Sequence, residues 1–392
     1  MEMDYTQRML PNLSHDEILR YSRHLLVPEV GLKGQRKLKS ASVLIVGTGG
    51  LGSPVALYLT AAGIGRIGLV DYDVVDHTNL QRQVIHGTST VGELKVESAR
   101  QRMQDLNPGV QVDIYNQTFT SENAKEIAAP YDLIVDASDN FPTRYLTNDL
   151  CVLTGKPNVY GSVYRFDGQV SVFDASRGPC YRCLFPEPPP PGLVPSCAES
   201  GVLGILPGTI GTLQATEALK LILGIGEPLI GKLMLYNALD MSFEDVRLHK
   251  NPACKVCGDH PSVTELIDYE AFCGVPGREV ETGSAGEEWD ITACDLAIEL
   301  ESEKPLRLVD VREPHELEIS HMPGTVNIPL GQLAMRSNEL DPQEDIVLIC
   351  KAGVRSSRAL HILLGIGFSK LHSLKGGVNA WAREIDPSQP IY

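Results

Sequence analysis

Gly47-Thr48-Gly49-Gly50-Leu51-Gly52 follows four apolar residues, 43–46, and precedes an apolar run over 55–62. Strand, tight glycine turn and helix in that order bring the backbone close to a phosphate and direct unpaired N–H groups of the helix start at it. Asp71 closes the next apolar run, 67–70, where a carboxylate can reach a ribose hydroxyl. A nucleotide is the ligand this pattern favours. The same glycine turn also occurs in α/β proteins that bind nothing, and it does not choose among nucleotides.

Cys180-Tyr181-Arg182-Cys183 and Cys254-Lys255-Val256-Cys257 form two Cys-x-x-Cys pairs. Each supplies two thiolates from one turn, and together they make a tetrahedral site suited to structural zinc. A redox pair is the rival reading, but neither pair follows a thioredoxin-like strand. No fifth ligand is evident, so a structural role is expected. Cys350-Lys351-Ala352-Gly353-Val354-Arg355 lies between an apolar strand and a helix. A loop there is expected to aim several backbone N–H groups at the sulfur, with Arg355 adding positive charge, and so to stabilise a thiolate or a persulfide. With four residues between Cys350 and Arg355 the cradle is smaller than one built for phosphate. A buried structural cysteine is the alternative.

Cys197 follows a proline-rich stretch and is read either as an acyl-accepting nucleophile or as a spare thiol; Cys151, Cys273 and Cys294 are read as structural. Asp136, Asp139 and Asn140 close an apolar strand, and two acids with an asparagine there suit a metal ion or nucleotide, with Asp139 as a helix cap the competing reading. Arg23 lies on a helix opened by the capping box Ser14-His15-Asp16-Glu17 and expected to run to about Leu26. Arginine on such a helix is usually a solvated face.

The elements that must position these groups alternate as strands and helices. At 392 residues two domains are expected. A net charge of −16 disfavours nucleic acid as the main partner. No apolar run is long enough to span a bilayer, and residues 1–12 lack a basic-then-apolar signal pattern, so a cytoplasmic protein is expected. There the 9 cysteines are metal ligands or reactive thiols before they are disulfides. Residues 72–83 are too polar for a crossover helix and read as a loop over the strand ends; Lys95 opens a helix. Residues 157–173 alternate as an antiparallel strand pair, and 210–223 read as a buried helix. Residues 259–290 hold nine acids against one base, Arg278, and read as an extended acidic linker. A second α/β pattern follows, with strands at 306–309, 326–328 and 346–349.

Residues 14–258 resemble the ubiquitin-activating-type adenylyltransferases of the MoeB/ThiF family. The resemblance rests on the glycine loop, Asp71-Tyr72-Asp73, Asn79-Leu80-Gln81-Arg82-Gln83, Asp139-Asn140 and both cysteine pairs. Residues 288–392 resemble a rhodanese through Asp310-Val311-Arg312, His321-Met322-Pro323-Gly324, the Cys350 loop and Gly376-Gly377 before Trp381, with 259–287 as the linker. The whole is similar to the MoeZ-type adenylyltransferase/sulfurtransferases. The resemblance implies a Rossmann-like domain with a mixed sheet, plus a small α/β rhodanese domain.

It also implies ATP held by Gly47, Gly49, Gly50 and Gly52, with Asp71 on the ribose and Asp73 beside it. Arg82, Lys95 and Asn79 would hold the phosphates, and Asp139 would serve Mg²⁺ with Asn140 alongside. Arg23 would reach into a partner subunit's site, making a homodimer. The implied substrate is the terminal Gly-Gly carboxylate of a small ubiquitin-like sulfur carrier of the MoaD, CysO or ThiS type. Cys350 would carry a persulfide, supplied by a cysteine desulfurase or thiosulfate, whose terminal sulfur attacks the acyl-adenylate, and Cys197 would help release the carrier thiocarboxylate. Molybdopterin or cysteine biosynthesis is the favoured setting. The rivals are an NAD-dependent oxidoreductase, a non-catalytic scaffold and a ubiquitin-type activator that passes its substrate on.

Overall fold

The computed structural model describes residues 10–190, 201–274, 289–302 and 305–392. The chain divides into two compact units, Met1–Gly277 and Arg278–Tyr392.

In the first unit, β1 (Ser42–Val46), β2 (Arg66–Val70), β3 (Gln111–Tyr115), β4 (Leu133–Asp136), β5 (Asn158–Tyr164), β6 (Asp167–Phe173), β7 (Lys232–Asn237) and β8 (Ser242–Arg247) form one sheet. Their order is β3-β2-β1-β4-β5-β6-β7-β8. Pairings from β3 to β5 are parallel, and those from β5 to β8 are antiparallel. β1 is buried along its whole length, which is why it reads as an unbroken apolar run. Val43 and Ile45 face a core shared with the helices Gly52–Ala62 and Ile205–Leu223, while Leu44 and Val46 face the aromatic residues Tyr145, Tyr160 and Tyr181. The chain fills one side of β1 with β2 and β3, then crosses to β4 on the other side. The loops after β1 and β4 therefore part at a topological switch point, where open α/β sheets take their ligands.

Gly52 starts its helix so close to β1 that an added Cβ would stand 2.0 Å from the Gly47 carbonyl oxygen, and Gly47 itself has φ +95°. Both positions need glycine for packing as much as for a ligand. Gln214, buried in the helix Ile205–Leu223, donates from Nε2 to the carbonyls of Asp136 (2.7 Å) and Val159 (3.1 Å) and so ties that helix to β4 and β5.

Two local expectations change. The Ser14 capping box is present, but the helix ends at Arg20, and a separate turn covers Ser22–Leu25. Tyr21 intervenes because its ring is needed inside: it is 5% exposed and its hydroxyl accepts from Asn107 Nδ2 at 2.9 Å. Residues 259–274, read as the start of an extended linker, pack onto the unit. Asp268 caps the short helix Tyr269–Phe272, Tyr269 and Cys273 are buried, and Leu266, Ile267 and Phe272 join the same cluster. The acids mark the outer face of this segment, and apolar residues between them supply an inner one.

In the second unit, β9 (Asp290–Ile291), β10 (Leu306–Asp310), β11 (Val326–Asn327), β12 (Asp345–Ile349) and β13 (Leu371–Leu374) form a parallel sheet in the order β11-β10-β12-β13-β9. β9 and β13 are too short to show a period of their own. β12 is central, and Cys350 stands at its carboxyl end with Asp310 ending the neighbouring β10. Among the described residues no helix is long and apolar enough to cross a membrane.

Candidate functional site

A cavity of about 750 Å³ opens at the carboxyl ends of β1, β2 and β4. Gly47, Gly49, Gly50, Asp71, Asp73, Arg82, Lys95, Asp139 and Asn140 all line it. These residues, drawn from separate motifs, are gathered by the switch-point geometry.

Asp71 braces the glycine loop. Its Oδ2 accepts from the Thr48 N–H (2.8 Å) and Thr48 Oγ1 (2.9 Å), and its Oδ1 accepts from the Asp73 N–H (3.0 Å). Lys95 is clamped to Asp73 twice: Nζ stands 2.8 Å from Oδ2, and the Lys95 N–H donates to the Asp73 carbonyl at 2.9 Å. The lysine side chain is 8% exposed and the aspartate 49%, so a deeply set cation shares a carboxylate that solvent still reaches. Arg82 donates to the Thr78 carbonyl at 3.2 Å and is half-buried in the cavity wall.

Asn79, Gly52 and Arg23 are not among the lining residues. Asn79 Oδ1 accepts from the Asp76 N–H (3.1 Å) and shapes the loop that carries Arg82. Gly52 serves the close approach described above. Arg23 is exposed on its turn. The helix cap that competed as a reading of Asp139 belongs to Asn140, whose Oδ1 accepts from the Thr143 N–H at 3.0 Å; Asp139 stays exposed at the cavity.

Sequence reading gave no role to Gln83, His86 or Arg144, and placed Asp136 only among the polar residues that close β4. Gln83 is 5% exposed beside Gly49, and its Oε1 has no hydrogen-bond partner. His86 is 8% exposed; Nε2 donates to the Thr48 carbonyl (3.2 Å) and Nδ1 lies 2.9 Å from Ser98 Oγ. Burial holds its pKa below the ordinary imidazole value. Arg144 lines the cavity with its guanidinium over the rings of Phe141 (5.9 Å) and Tyr160 (5.5 Å). Asp136 lies fully buried nearby; burial raises its pKa against the pull of the Arg144 charge. His86 and Arg144 lie in no motif with fixed spacing, whereas Gln83 ends the motif that carries Asn79 and Arg82, and Asp136 stands three residues before Asp139.

The sulfurs of Cys180, Cys183, Cys254 and Cys257 lie within 4.8 Å of one another. Cys180 is 3.6 Å from Cys254, Cys183 is 3.4 Å from Cys257, and the Asn251 N–H donates to Cys183 Sγ at 3.4 Å. Hydrogen bonding among the thiols, led by Cys180, holds Cys183 and Cys254 below the ordinary thiol range. Four soft donors converging on one point fit a zinc ion.

In the second unit Cys350 is 1% exposed, and one backbone N–H, that of Gly353, donates to its sulfur at 3.1 Å. Ser356 Oγ is 3.4 Å away and stands 2.9 Å from Ser373 Oγ. The loop thus brings one backbone donor and a hydroxyl to the sulfur, where several backbone donors were expected. Arg355 also differs from expectation. Its Nη1 and Nη2 donate to Glu316 Oε2 (2.6 Å) and Oε1 (2.7 Å) in a bidentate pair, so a carboxylate largely balances its charge. Burial would raise the Glu316 pKa, but the Arg355 and Glu313 hydrogen bonds outweigh it and hold it below the usual range. Gly377 lets its helix meet the loop: a Cβ there would stand 2.2 Å from the Cys350 carbonyl oxygen. Cys197 lies outside the described residues.

Residues 21–256 match the ThiF family, and residues 292–384 match the rhodanese-like domain. The chain is 48% identical over 386 residues to the probable adenylyltransferase/sulfurtransferase MoeZ of Mycobacterium tuberculosis, covering 97% of this chain and 96% of that protein. It is 58% identical over 265 residues to the sulfur carrier protein adenylyltransferase of Thermus thermophilus, covering 66% and 98%. It is 43% identical over 391 residues to the adenylyltransferase and sulfurtransferase MOCS3 of Drosophila yakuba, covering 97% and 86%. The crystal structure of E. coli MccB with ATP matches with a TM-score of 0.53 at 25% identity, over 61% of this chain and 74% of that one. With its cavity, thiol cluster and sulfur loop in these positions, the chain belongs to the ThiF family and carries a rhodanese-like domain after it, the domain pair of the adenylyltransferase/sulfurtransferase enzymes.

Proposed function

We propose that the first unit adenylates the terminal Gly-Gly carboxylate of a small ubiquitin-like sulfur carrier of the MoaD, CysO or ThiS type. The observation that carries this reading is the single cavity in which the glycine loop, Asp71, Lys95–Asp73, Arg82 and Asp139 meet. A carboxylate is a poor electrophile. Its oxygen attacks the α-phosphorus of ATP, pyrophosphate leaves, and the carrier becomes an acyl-adenylate with AMP as leaving group. Arg82 and Lys95 are fixed cations for the charge that develops on the phosphates. Asp71 is placed for the ribose, with Asn79 acting through the loop that carries Arg82. The Asp139 carboxylate is an oxygen donor of the kind Mg²⁺ takes, and the ion would neutralise phosphate charge. The ATP complex of MccB and the name of the Thermus relative support the reading.

The second unit supplies sulfur. The terminal sulfur of a Cys350 persulfide attacks the acyl-adenylate carbon, AMP leaves, and an acyl disulfide joins carrier and Cys350. A thiolate, for which we propose Cys197, attacks the Cys350 sulfur and expels the carrier thiocarboxylate. The resulting Cys197–Cys350 disulfide is reduced by an external thiol. A cysteine desulfurase or thiosulfate would renew the persulfide. Zinc in the four-thiol site would be structural. The remaining parts of the proposal are a homodimer with Arg23 reaching the partner's site, a cytoplasmic location, and a role in molybdopterin or cysteine biosynthesis. The domain boundaries 14–258 and 288–392 belong to it as well, the first extended by the packed segment 259–274. A dinucleotide-dependent oxidoreductase would leave Lys95, Arg82 and the sulfur loop unexplained.

The test is the intact mass of a Gly-Gly-ending carrier after incubation with the protein, Mg·ATP and a sulfur donor, against Cys350→Ala. Gain of sulfur in place of one oxygen only with Cys350 supports both steps. Adenylation without sulfur in either sample would refute the second step and leave the first.

A further inference from the structure

Tyr392 touches three walls of the Cys350 site, and the sulfur chemistry above gives it no role. Its hydroxyl accepts from Arg312 Nη1 at 2.7 Å and lies 3.3 Å from Glu316 Oε1, to which it donates. Arg312 is itself fully buried in an ion pair with Asp310 (2.6 Å, both side chains 0% exposed). Glu316 is the carboxylate that holds Arg355. The phenol thus bridges two ion pairs, Asp310–Arg312 and Glu316–Arg355, at the edge of the sulfur loop.

The ring makes the third contact. Lys351, the residue after the cysteine, places Nζ 4.9 Å from the Tyr392 ring centroid. Lys351 is half-buried and makes no carboxylate ion pair among the described residues; its ammonium rests on the ring face. The backbone fastens the arrangement. The Tyr392 N–H donates to Asn379 Oδ1 (3.3 Å), and Asn379 Nδ2 donates to the Tyr392 carbonyl (3.0 Å). The Asn379 N–H holds the Lys351 carbonyl (3.1 Å), and the Val378 N–H holds that of Cys350 (2.9 Å).

We infer that Tyr392 is a positioning residue of the sulfur site: its hydroxyl fixes the Arg312–Glu316–Arg355 charges, and its ring holds the Lys351 ammonium at the Cys350 loop for anionic sulfur species. The inference rests on the reading of Cys350 as the sulfur carrier. Its physical basis is charge balance. The hydroxyl's bond to Glu316 takes up part of the carboxylate charge that balances Arg355, and Lys351 adds a second cation on the loop for a thiolate, a persulfide anion or an anionic donor. A flexible lysine stem does not hold one place unaided, and the ring face gives it one. The charged and titratable groups facing the loop are Lys351 and Arg355 from the loop itself, Glu316 from the helix Pro314–Leu317, Asp310 and Arg312 at the end of β10, and Tyr392.

Tyr392→Phe removes the hydroxyl and keeps the ring; Tyr392→Leu removes both. Two measurements on the full-length protein separate them. In the first, thiosulfate gives its outer sulfur to the Cys350 thiolate with release of sulfite, and cyanide takes that sulfur from the persulfide as thiocyanate, restoring the thiolate. The second is the pH profile of Cys350 alkylation by iodoacetamide, followed by mass. Both variants are expected to shift the alkylation profile upward, on the order of one pH unit or about tenfold less thiolate at neutral pH. Tyr392→Leu should in addition raise KM for thiosulfate about tenfold, while Tyr392→Phe lowers kcat with KM nearly kept. A Tyr392→Phe protein that melts like wild type but keeps the wild-type profile and kcat overturns the inference. Alkylation reads Tyr392 even if thiosulfate is not turned over. A shifted profile with no thiocyanate from wild type therefore supports the role of Tyr392 and counts against thiosulfate as the sulfur donor.

Discussion

Arg182, inside the first Cys-x-x-Cys turn, is bound bidentately by Asp149 of the helix Phe141–Thr154, with Nε 2.9 Å from Oδ1 and Nη2 2.8 Å from Oδ2. Both side chains are buried, at 1% and 0% exposure. The Tyr269 hydroxyl donates to the same carboxylate at 2.8 Å, and the guanidinium lies 4.4 Å from the Phe272 ring centroid. One thiol pair is therefore anchored to the nucleotide-binding unit by a charge pair as well as by any metal.

Breaking that pair leaves its partner charged and dry. Arg182→Met or Asp149→Asn is expected to cost about 3–5 kcal/mol of stability. Urea denaturation of the full chain checks this, and a loss below 1 kcal/mol would show that water or a rearranged neighbour replaces the missing group.

The four-thiol cluster predicts that chelation lowers the thermal midpoint and frees thiols to a colorimetric reagent, because metal binding adds directly to folding free energy. Cys254→Ser should lose bound metal and melt below wild type. A purified wild type that contains no metal and resists chelators without change would exclude the zinc assignment.

Lys95 is expected to matter more for turnover than for folding, since its partner Asp73 is about half exposed. Lys95→Met should slow carrier-dependent ATP–pyrophosphate exchange about 100-fold, in the range of removing one preorganised charge from a transition state. Equal exchange rates in variant and wild type would remove Lys95 from the phosphate site.

His86 makes a pH prediction. Burial, helped by the Lys95 charge, lowers its pKa below the ordinary 6.5, against the Thr48 hydrogen bond and Asp71. As pH falls through 6.5 the unfolded chain takes up this proton before the folded one, so the site's contribution is present above 6.5 and lost below it. Wild type should lose stability between neutral and mildly acidic pH by a component that His86→Gln lacks. Parallel denaturation curves for the two proteins across that range would contradict it.

Motifs that work through near neighbours were legible from the residues alone. The glycine loop, Asp71, Lys95 and both cysteine pairs fall where their local patterns placed them, because a strand, a tight turn and a helix start are set by adjacent residues. The order of the two α/β patterns follows for the same reason. The helix that was expected to run through Tyr21 shows the limit: local periodicity continues, but Asn107 and Gly63 claim that ring.

Partnership between distant side chains was decided by tertiary structure. Arg355 looked like a free cation beside Cys350 until Glu316 arrived from a helix about forty residues earlier to balance it. The acids of 259–274 looked like a solvated linker until Tyr269 found Asp149. His86, Arg144 and Tyr392 carry no signal in spacing, since their roles depend on which faces meet across the sheet ends. Sequence by itself determined which chemical groups are present and which local backbone presents them. Packing alone determined which charges are balanced, which are buried and which remain for a ligand, because electrostatic and desolvation energies depend on distance in space and not along the chain.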